Sequence, residues 1–233
     1  MFKVVWFARF PQGMTREEGR RYWKEHHGPD ALKTSIEGYV QNHVSGPVPA
    51  VSGVPEQETH FDGYSCGWWS DRAAFEATMT TPQWRALEAD GDNVFDMSWL
   101  RGMSAALREH TVIEGPSSAF KVLWMVRFKA GLDPGEGHRH WERVHGEIFK
   151  SLEIDRYVQN HVVDALDDGD PPGFDGFSEC WFKDEHQFSR AIESDAWAEA
   201  VADGANFIDM TQLWGAVVEE TVFRAVPAGA AAL

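Results

Sequence analysis

Cysteine is nearly missing from this chain: 233 residues hold two, Cys66 and Cys180. Two thiols make no disulfide framework of the kind that staples small exported domains. The opening residues, MFKVVWFARFPQG, lack the charged, apolar and small-residue regions of a signal peptide. Together these absences predict a reducing cytoplasm and free, inert core thiols. Positive charge is also scarce, with 21 Lys and Arg against 37 Asp and Glu and a net charge of −16. That excess argues against nucleic acid, whose phosphates are neutralised by Lys and Arg, and against anionic membrane surfaces. No run of 18 apolar residues occurs, so no membrane-spanning helix is expected. The spacings C-x-x-C, H-E-x-x-H, GxGxxG and the phosphate-binding loop are all absent, which speaks against a metal or nucleotide site. Tyrosine numbers only four, yet there are 11 Trp and 15 Phe. Such an aromatic load predicts a large core, an aromatic-lined cavity, or both.

What is present is a duplication. FKVVWFARF at 2–10 returns as FKVLWMVRF at 120–128, EGRRYWKEHHG at 18–28 as EGHRHWERVHG at 136–146, and YVQNHV at 39–44 unchanged at 157–162. Residues 2–46 and their copies share 20 identities in 45 positions, at an offset of 118. Residues 61–100 match at an offset of 113 with 15 identities in 40, and an offset of 110 aligns Thr111-Val112 with Thr221-Val222. The Gly, Pro and Ser of IEGPSSAF, residues 113–120, mark the joint. The expected units are repeat one at 1–115, repeat two at 119–226 and a frayed tail at 227–233.

Each copy reads alike. An apolar, aromatic run over 2–10 predicts a strand. Thr15 with Glu18 forms a capping box for a helix reaching about residue 35, and Asp133, Pro134 and Glu136 start its copy. Strands follow at 38–45 and 61–69, a helical region at 71–93 broken near Pro82, and a last strand at 104–113. The order β-α-β-β-α-β is ferredoxin-like. One four-stranded sheet of this kind leaves a face bare. Two can bury those faces together, which predicts an α+β chain whose two sheets close into one intramolecular barrel.

The succession of apolar strand, W-x-x-x-H-G, Y-V-Q-N-H and D-G-x-x-E-x-W-F resembles the EthD domain, over nearly the whole chain and twice. The resemblance implies the dimeric α/β-barrel superfamily, here as a monomeric pseudo-dimer or a homodimer of it. The wider superfamily includes cofactor-free monooxygenases, muconolactone isomerases, polyketide cyclases and haem-binding enzymes, so it implies a fold more than a reaction.

Several side chains are candidates for chemistry. Trp23 and His27, repeated as Trp141 and His145, are spaced i, i+4 and share a helix face. A His between helix and sheet suits a general base; a core His bonded to backbone fits the spacing equally. Alternation separates Tyr39, Gln41 and His43 from Val40, Asn42 and Val44, and Tyr157, Gln159 and His161 from Val158, Asn160 and Val162. Asn42 and Asn160, apolar-flanked, would hold a loop or orient His27 and His145. Glu179 occupies the family's carboxylate position, where repeat one has Cys66. Between Phe177 and Trp181 its pKa should rise, as in a general acid. Pairing with Arg127 is the structural alternative, and Arg9 and Arg127 could instead meet an anionic substrate. His138, His140 and His145 lie close in sequence but point apart on an ideal helix, so no metal ligands are assigned.

These readings place the site in repeat two: His145 or His161 as base, Glu179 as acid, Tyr157 and Asn160 on an oxyanion, with Trp141, Trp181, Arg127, His27, His43 and Tyr39 contacting substrate. The expected protein is a cofactor-independent lyase, isomerase or cyclase acting on a small hydrophobic aromatic or polyketide-like compound. A cofactor-free monooxygenase and a non-catalytic binding protein are the alternatives.

Overall fold

The apolar run at the N-terminus becomes strand β1 (Phe2–Ala8), the first of eight in a computed structural model that describes residues 1–55, 59–166 and 171–226. Its alternate residues face two different cores. Val5 and Phe7 point into the barrel, whereas Val4 packs under the helices. Repeat one continues with α1 (Arg16–Tyr22), α2 (Gly28–Ala31), β2 (Gly38–Gly46), β3 (Gly63–Trp69), α3 (Arg72–Met79), α4 (Pro82–Gly91), α5 (Met97–Gly102) and β4 (Ser104–Ile113). Repeat two supplies β5 (Phe120–Val126), α6 (Pro134–His140), α7 (Gly146–Phe149), β6 (Arg156–Ala165), β7 (Gly176–Phe182), α8 (Glu185–Ile192), α9 (Asp195–Phe207) and β8 (Trp214–Arg224).

The eight strands form one closed barrel, in the order β1-β3-β2-β8-β5-β7-β6-β4. Every pairing is antiparallel. The repeats join at two seams, β2 on β8 and β4 on β6, so neither sheet keeps a bare edge. Aromatics from both repeats fill the interior: Phe7 lies 5.2 Å from Phe174 and 5.3 Å from Phe177, ring centre to ring centre. The helices cover the outside. This is the expected α+β architecture of two ferredoxin-like halves in one pseudo-two-fold unit.

Local signals explain the helix starts. Thr15 and Glu18 make the expected capping box, and Asp133 caps the copy through the Glu136 amide. Thr81 caps α4 just before Pro82, which accounts for the break. Helix α5, started by Asp96, is absent from the sequence-based reading. One repeat alignment also changes. Glu109 pairs with Asn160, and Glu220 with Asn42, so β4 and β8 are related by an offset of 111 rather than 110. Among the described residues no helix is long and apolar enough to cross a membrane. The expected tail, 227–233, lies outside the described residues.

Candidate active site

The W-x-x-x-H-G segments are where each first helix changes pitch. Trp23–His27 and Trp141–His145 form π-helical turns, with Gly28 and Gly146 donating to the carbonyls of Trp23 and Trp141 five residues back. Single π turns inside helices recur at functional sites. A glutamine from the sheet meets the loosened carbonyl in both repeats: Gln41 Nε2 donates to Trp23 O at 3.2 Å, and Gln159 Nε2 to Trp141 O at 2.9 Å. The glycine is required because a Cβ on Gly28 would lie 2.8 Å from Gln41 Nε2 and 2.5 Å from the Phe223 ring. The π turn aims the histidine into a cleft between helix and sheet.

Each cleft carries a histidine–carboxylate dyad. Nδ1 of His145 lies 2.9 Å from Asp203 on α9, and Nδ1 of His27 lies 2.9 Å from Asp90 on α4. Among the described residues neither Nε2 has a hydrogen-bond partner, and both histidines line their clefts. An aspartate on Nδ1–H fixes the tautomer that leaves Nε2 as the basic atom. Burial pushes Asp203 and Asp90 upward, but bonds from His145 and His140, and from Tyr22 and His27, outweigh it and hold both below the usual carboxylate range. His27 is pulled below the ordinary imidazole value by burial, against the opposing pull of Asp90.

The rest of each lining is apolar and aromatic. The repeat-two cleft, about 60 Å³, has Trp141, Phe149, Trp197, Gly204 and Leu213 around His145, Tyr157 and Ser178. The repeat-one cleft, about 80 Å³, has Trp23, Trp84 and Phe95 around His27, Tyr39 and Ser65, with Glu88 where repeat two has Val201. Tyr157 stacks on Phe149 with centroids 4.1 Å apart, and its hydroxyl accepts from Trp141 Nε1 at 3.2 Å. Burial pushes the phenols of Tyr157 and Tyr39 above their ordinary value. Neither aspartate was singled out from the sequence, although Asp90 and Asp203 coincide at the offset of 113 within repeated Ala-Asp-Gly segments.

Glu179 lies elsewhere. It points into the barrel, on the opposite side of the sheet from His145. There it accepts from Lys121 Nζ at 2.7 Å, Tyr64 OH at 2.7 Å and Asn160 Nδ2 at 3.0 Å, with Lys3 Nζ at 3.9 Å. The expected rise in pKa is therefore reversed. Burial alone would raise it, but Lys121 and Lys3 bring it down to about 2. The partner is not Arg127, which is exposed at the end of β5. Lys3 also binds Glu109 at 2.5 Å and Asn160 Oδ1 at 2.6 Å, and Lys121 binds Glu220 at 2.6 Å and Asn42 Oδ1 at 2.8 Å. The asparagines thus serve the lysines, not the histidines, and Asn160 and Tyr157 stand on opposite faces. Trp181 faces this interior too, 4.4 Å from Lys121 Nζ. Cys66, the counterpart of Glu179, is a buried thiol pushed up to about 12 mainly by burial. The network bounds a cavity of about 410 Å³, and its charged groups are mutually bonded.

His161 and His43 sit on the helix side but outside the clefts. His161 Nε2 lies 3.1 Å from Gln159 Oε1 and Nδ1 lies 3.3 Å from Arg108, while the ring stacks on Trp141 at 5.0 Å. Burial, reinforced by His138 and Arg108, depresses it to about 2. With both nitrogens engaged it is no base. His43 bonds Gln41 at 3.0 Å and burial takes it to about 3. Arg9 pairs with Asp96 at 2.6 Å and is not free for a substrate anion. The structure therefore brings His145, Tyr157 and Trp141 together, and likewise His27, Tyr39 and Trp23. It separates both sets from Glu179, Asn160, Trp181 and Arg127, and keeps His161 and His43 against Trp141 and Trp23 but out of the clefts. Among the described residues no group of three or more His, Cys, Asp or Glu could hold a metal ion.

The EthD family model matches residues 11–98 and again 129–211. The chain belongs to the EthD domain family. The second match makes the family membership a tandem one, each EthD repeat spanning one π turn and one dyad. Among solved structures, an anthrone oxidase-like protein is 12% identical with a TM-score of 0.59, covering 100% of this chain and 96% of its own. A protein of Fusobacterium nucleatum subsp. nucleatum described as a candidate monooxygenase is 11% identical with a TM-score of 0.58, covering 100% and 98%. A similarly described protein of Lactobacillus acidophilus is 10% identical with a TM-score of 0.51, covering 95% and 94%. At these identities the likeness is one of fold, the dimeric α/β barrel. No curated protein matches the chain significantly.

Proposed function

We infer that this EthD chain is an enzyme that moves a proton on a small hydrophobic aromatic or polyketide-like compound, with His145 as base. The observation that carries this reading is the dyad itself: a histidine held through Nδ1 by Asp203, with Nε2 facing an apolar cleft. Nε2 takes a proton from an acidic C–H of the substrate, and the electron pair moves onto the substrate's carbonyl oxygen. The Tyr157 and Ser178 hydroxyls line the same cleft as donors for that oxygen. Return of the proton at a second carbon completes an isomerisation; attack of the carbanion on a second carbonyl carbon of the same molecule, with the proton passing to that carbonyl's oxygen, completes a cyclisation, and in both the protein supplies the only base required. Glu179 in this reading holds the barrel and takes no part in the chemistry.

A second reading continues from the same carbanion. The similarly folded proteins described as monooxygenases and as anthrone oxidase-like favour it. Dioxygen would accept the electron pair at carbon, one oxygen atom becoming a new carbonyl while the other leaves with the two displaced hydrogens as water. Turnover of anthrone, a tricyclic ketone with an acidic methylene, separates the two. Oxygenated product under O₂ supports oxygenation; isomerised product with none oxygenated under O₂ supports simple proton transfer. Either way His145→Gln is expected to lower kcat/KM by ~10²–10⁴. Retained turnover in that variant would contradict the assignment, and tight binding of ketones with no conversion under either atmosphere would make this a binding protein.

A further inference from the structure

The repeat-two cleft is roofed by repeat one. Residues 47–55, PVPAVSGVP, leave the end of β2 and lie across the second repeat, where Val51 is buried in its core and Val48 and Val54 pack beside it. Gly53 turns there at φ +78°, and a Cβ on it would lie 2.9 Å from Val201 of α9, so the strap sits close against the helix. Beneath the strap is a second cavity of about 310 Å³, walled by Val48, Val51, Val54, Trp124 and Gly215. Val54 and Trp124 line the His145 cleft as well, so the two spaces adjoin. Gly215 keeps the space open: a Cβ there would fall 2.7 Å from the Trp124 ring and 2.8 Å from Val48.

The size of the space says what it takes. An apolar cavity of ~150 Å³ accepts a benzene-sized molecule. The space beside His145, about 60 Å³, is smaller than that, whereas the space under the strap is larger. Trp124, nine-tenths buried between the two, turns the Cε3–Cζ3 edge of its ring toward Gly215 and Val48, so the wall it gives the space is flat and apolar. The repeat-one cleft differs, because all of its described lining comes from repeat one.

We propose that the cavity under the 47–55 strap is the subsite for the far end of the substrate, a flat fused-ring ketone or phenol. The reacting C–H stands at His145 and the remaining ring lies beneath Val48 and Val51, against the Trp124 ring edge. Repeat one thereby acts as the specificity element of repeat two. This rests on the reading of the His145 cleft as the reaction site.

Calorimetric titration of the full chain with 1-tetralone, a two-ring ketone, and anthrone, a three-ring ketone, tests it. Anthrone should bind at least about tenfold more tightly, a difference of one well-made contact set. Val48→Phe, which narrows the space, should weaken anthrone about tenfold and spare 1-tetralone. Val48→Trp, which fills the space, should bring anthrone down to the level of 1-tetralone; if that variant does not fold, Val48→Phe still decides. Equal affinity for the two ketones, or an anthrone advantage that survives either folded variant, overturns the subsite while leaving the dyad untouched. Failure of both ketones to bind overturns the subsite and the functional reading together.

Discussion

Asp203 serves two histidines. One carboxylate oxygen lies 2.9 Å from His145 Nδ1 and the other 2.9 Å from His140 Nε2, so the acid group is held from both ends. In repeat one Tyr22 replaces the second histidine, donating to Asp90 at 2.7 Å. Asp203 is thus a positioning residue for the base. Asp203→Asn should lower kcat by ~10²–10⁴ with KM little changed, the loss expected when a base is misoriented. Asp203→Glu should recover part of it, and steady-state kinetics on the three proteins measures both effects. Equal losses in the Asn and Glu variants would indicate a structural role only. His27 and His145 were legible in the sequence because repetition and i, i+4 spacing marked them. Glu179 was misread because its neighbours along the strand are apolar, while the groups that set its charge, Lys3 and Lys121, come from adjacent and opposite strands. Their own signal, a lysine repeated inside an apolar strand, was present in FKVVW and FKVLW.

Strand and helix positions followed from hydrophobic period and caps, but the π turns did not. A π turn inserts its extra residue without changing composition, and what stabilises it here is remote: Gln41 or Gln159 on the sheet meeting the freed carbonyl. Gln159 Oε1 also accepts from His161 Nε2 at 3.1 Å, so one amide ties helix, strand and buried histidine together. Gln159→Leu would leave the Trp141 carbonyl with the Gly146 amide alone and take the acceptor away from His161 Nε2. It is expected to destabilise the protein by ~1–3 kcal/mol in urea titration, and to lower kcat by shifting His145. An unchanged unfolding midpoint would mean that the π turn does not depend on the glutamine. The loop over 47–55 was read only as Pro- and Gly-rich. Its landing place on the other repeat depends on barrel closure, which local pattern does not encode.

For the molecule as a whole, duplication announced the barrel, and its closure follows from two sheets each needing cover. The two repeats meet in a charge network at the pseudo-two-fold, where Glu179 is bonded to Lys121 and Asn160 of its own repeat and Tyr64 of the other. Removing one partner from a buried ion pair leaves an uncompensated charge, so Glu179→Gln is expected to cost ~3–5 kcal/mol. The sign of the pH dependence follows from the depressed groups. His161 at about 2, His43 at about 3 and Glu179 at about 2 all bind protons more readily in the unfolded chain. Their stabilisation is complete above their ordinary values of 6.5 and 4.5 and is lost as pH falls toward the folded-state values. Melting temperature should therefore begin to fall below about pH 6.5, with His43 and His161 responsible, and fall more steeply below about pH 4.5 as Glu179 joins. In Glu179→Gln the deficit at neutral pH should shrink toward pH 3. A melting temperature flat from pH 7 to 5 would contradict the assignment of neutral, buried histidines.

The claim at the centre is that the paired dyads exist to move a proton. Deuterium uptake into the methylene of anthrone, followed by proton NMR in D₂O without oxygen, measures that step alone. The wild-type chain should accelerate exchange over buffer, His145→Gln should lose most of the acceleration, and the double variant His27→Gln/His145→Gln should fall to the buffer rate. Exchange that persists undiminished in a folded double variant would contradict the dyads as the reaction site.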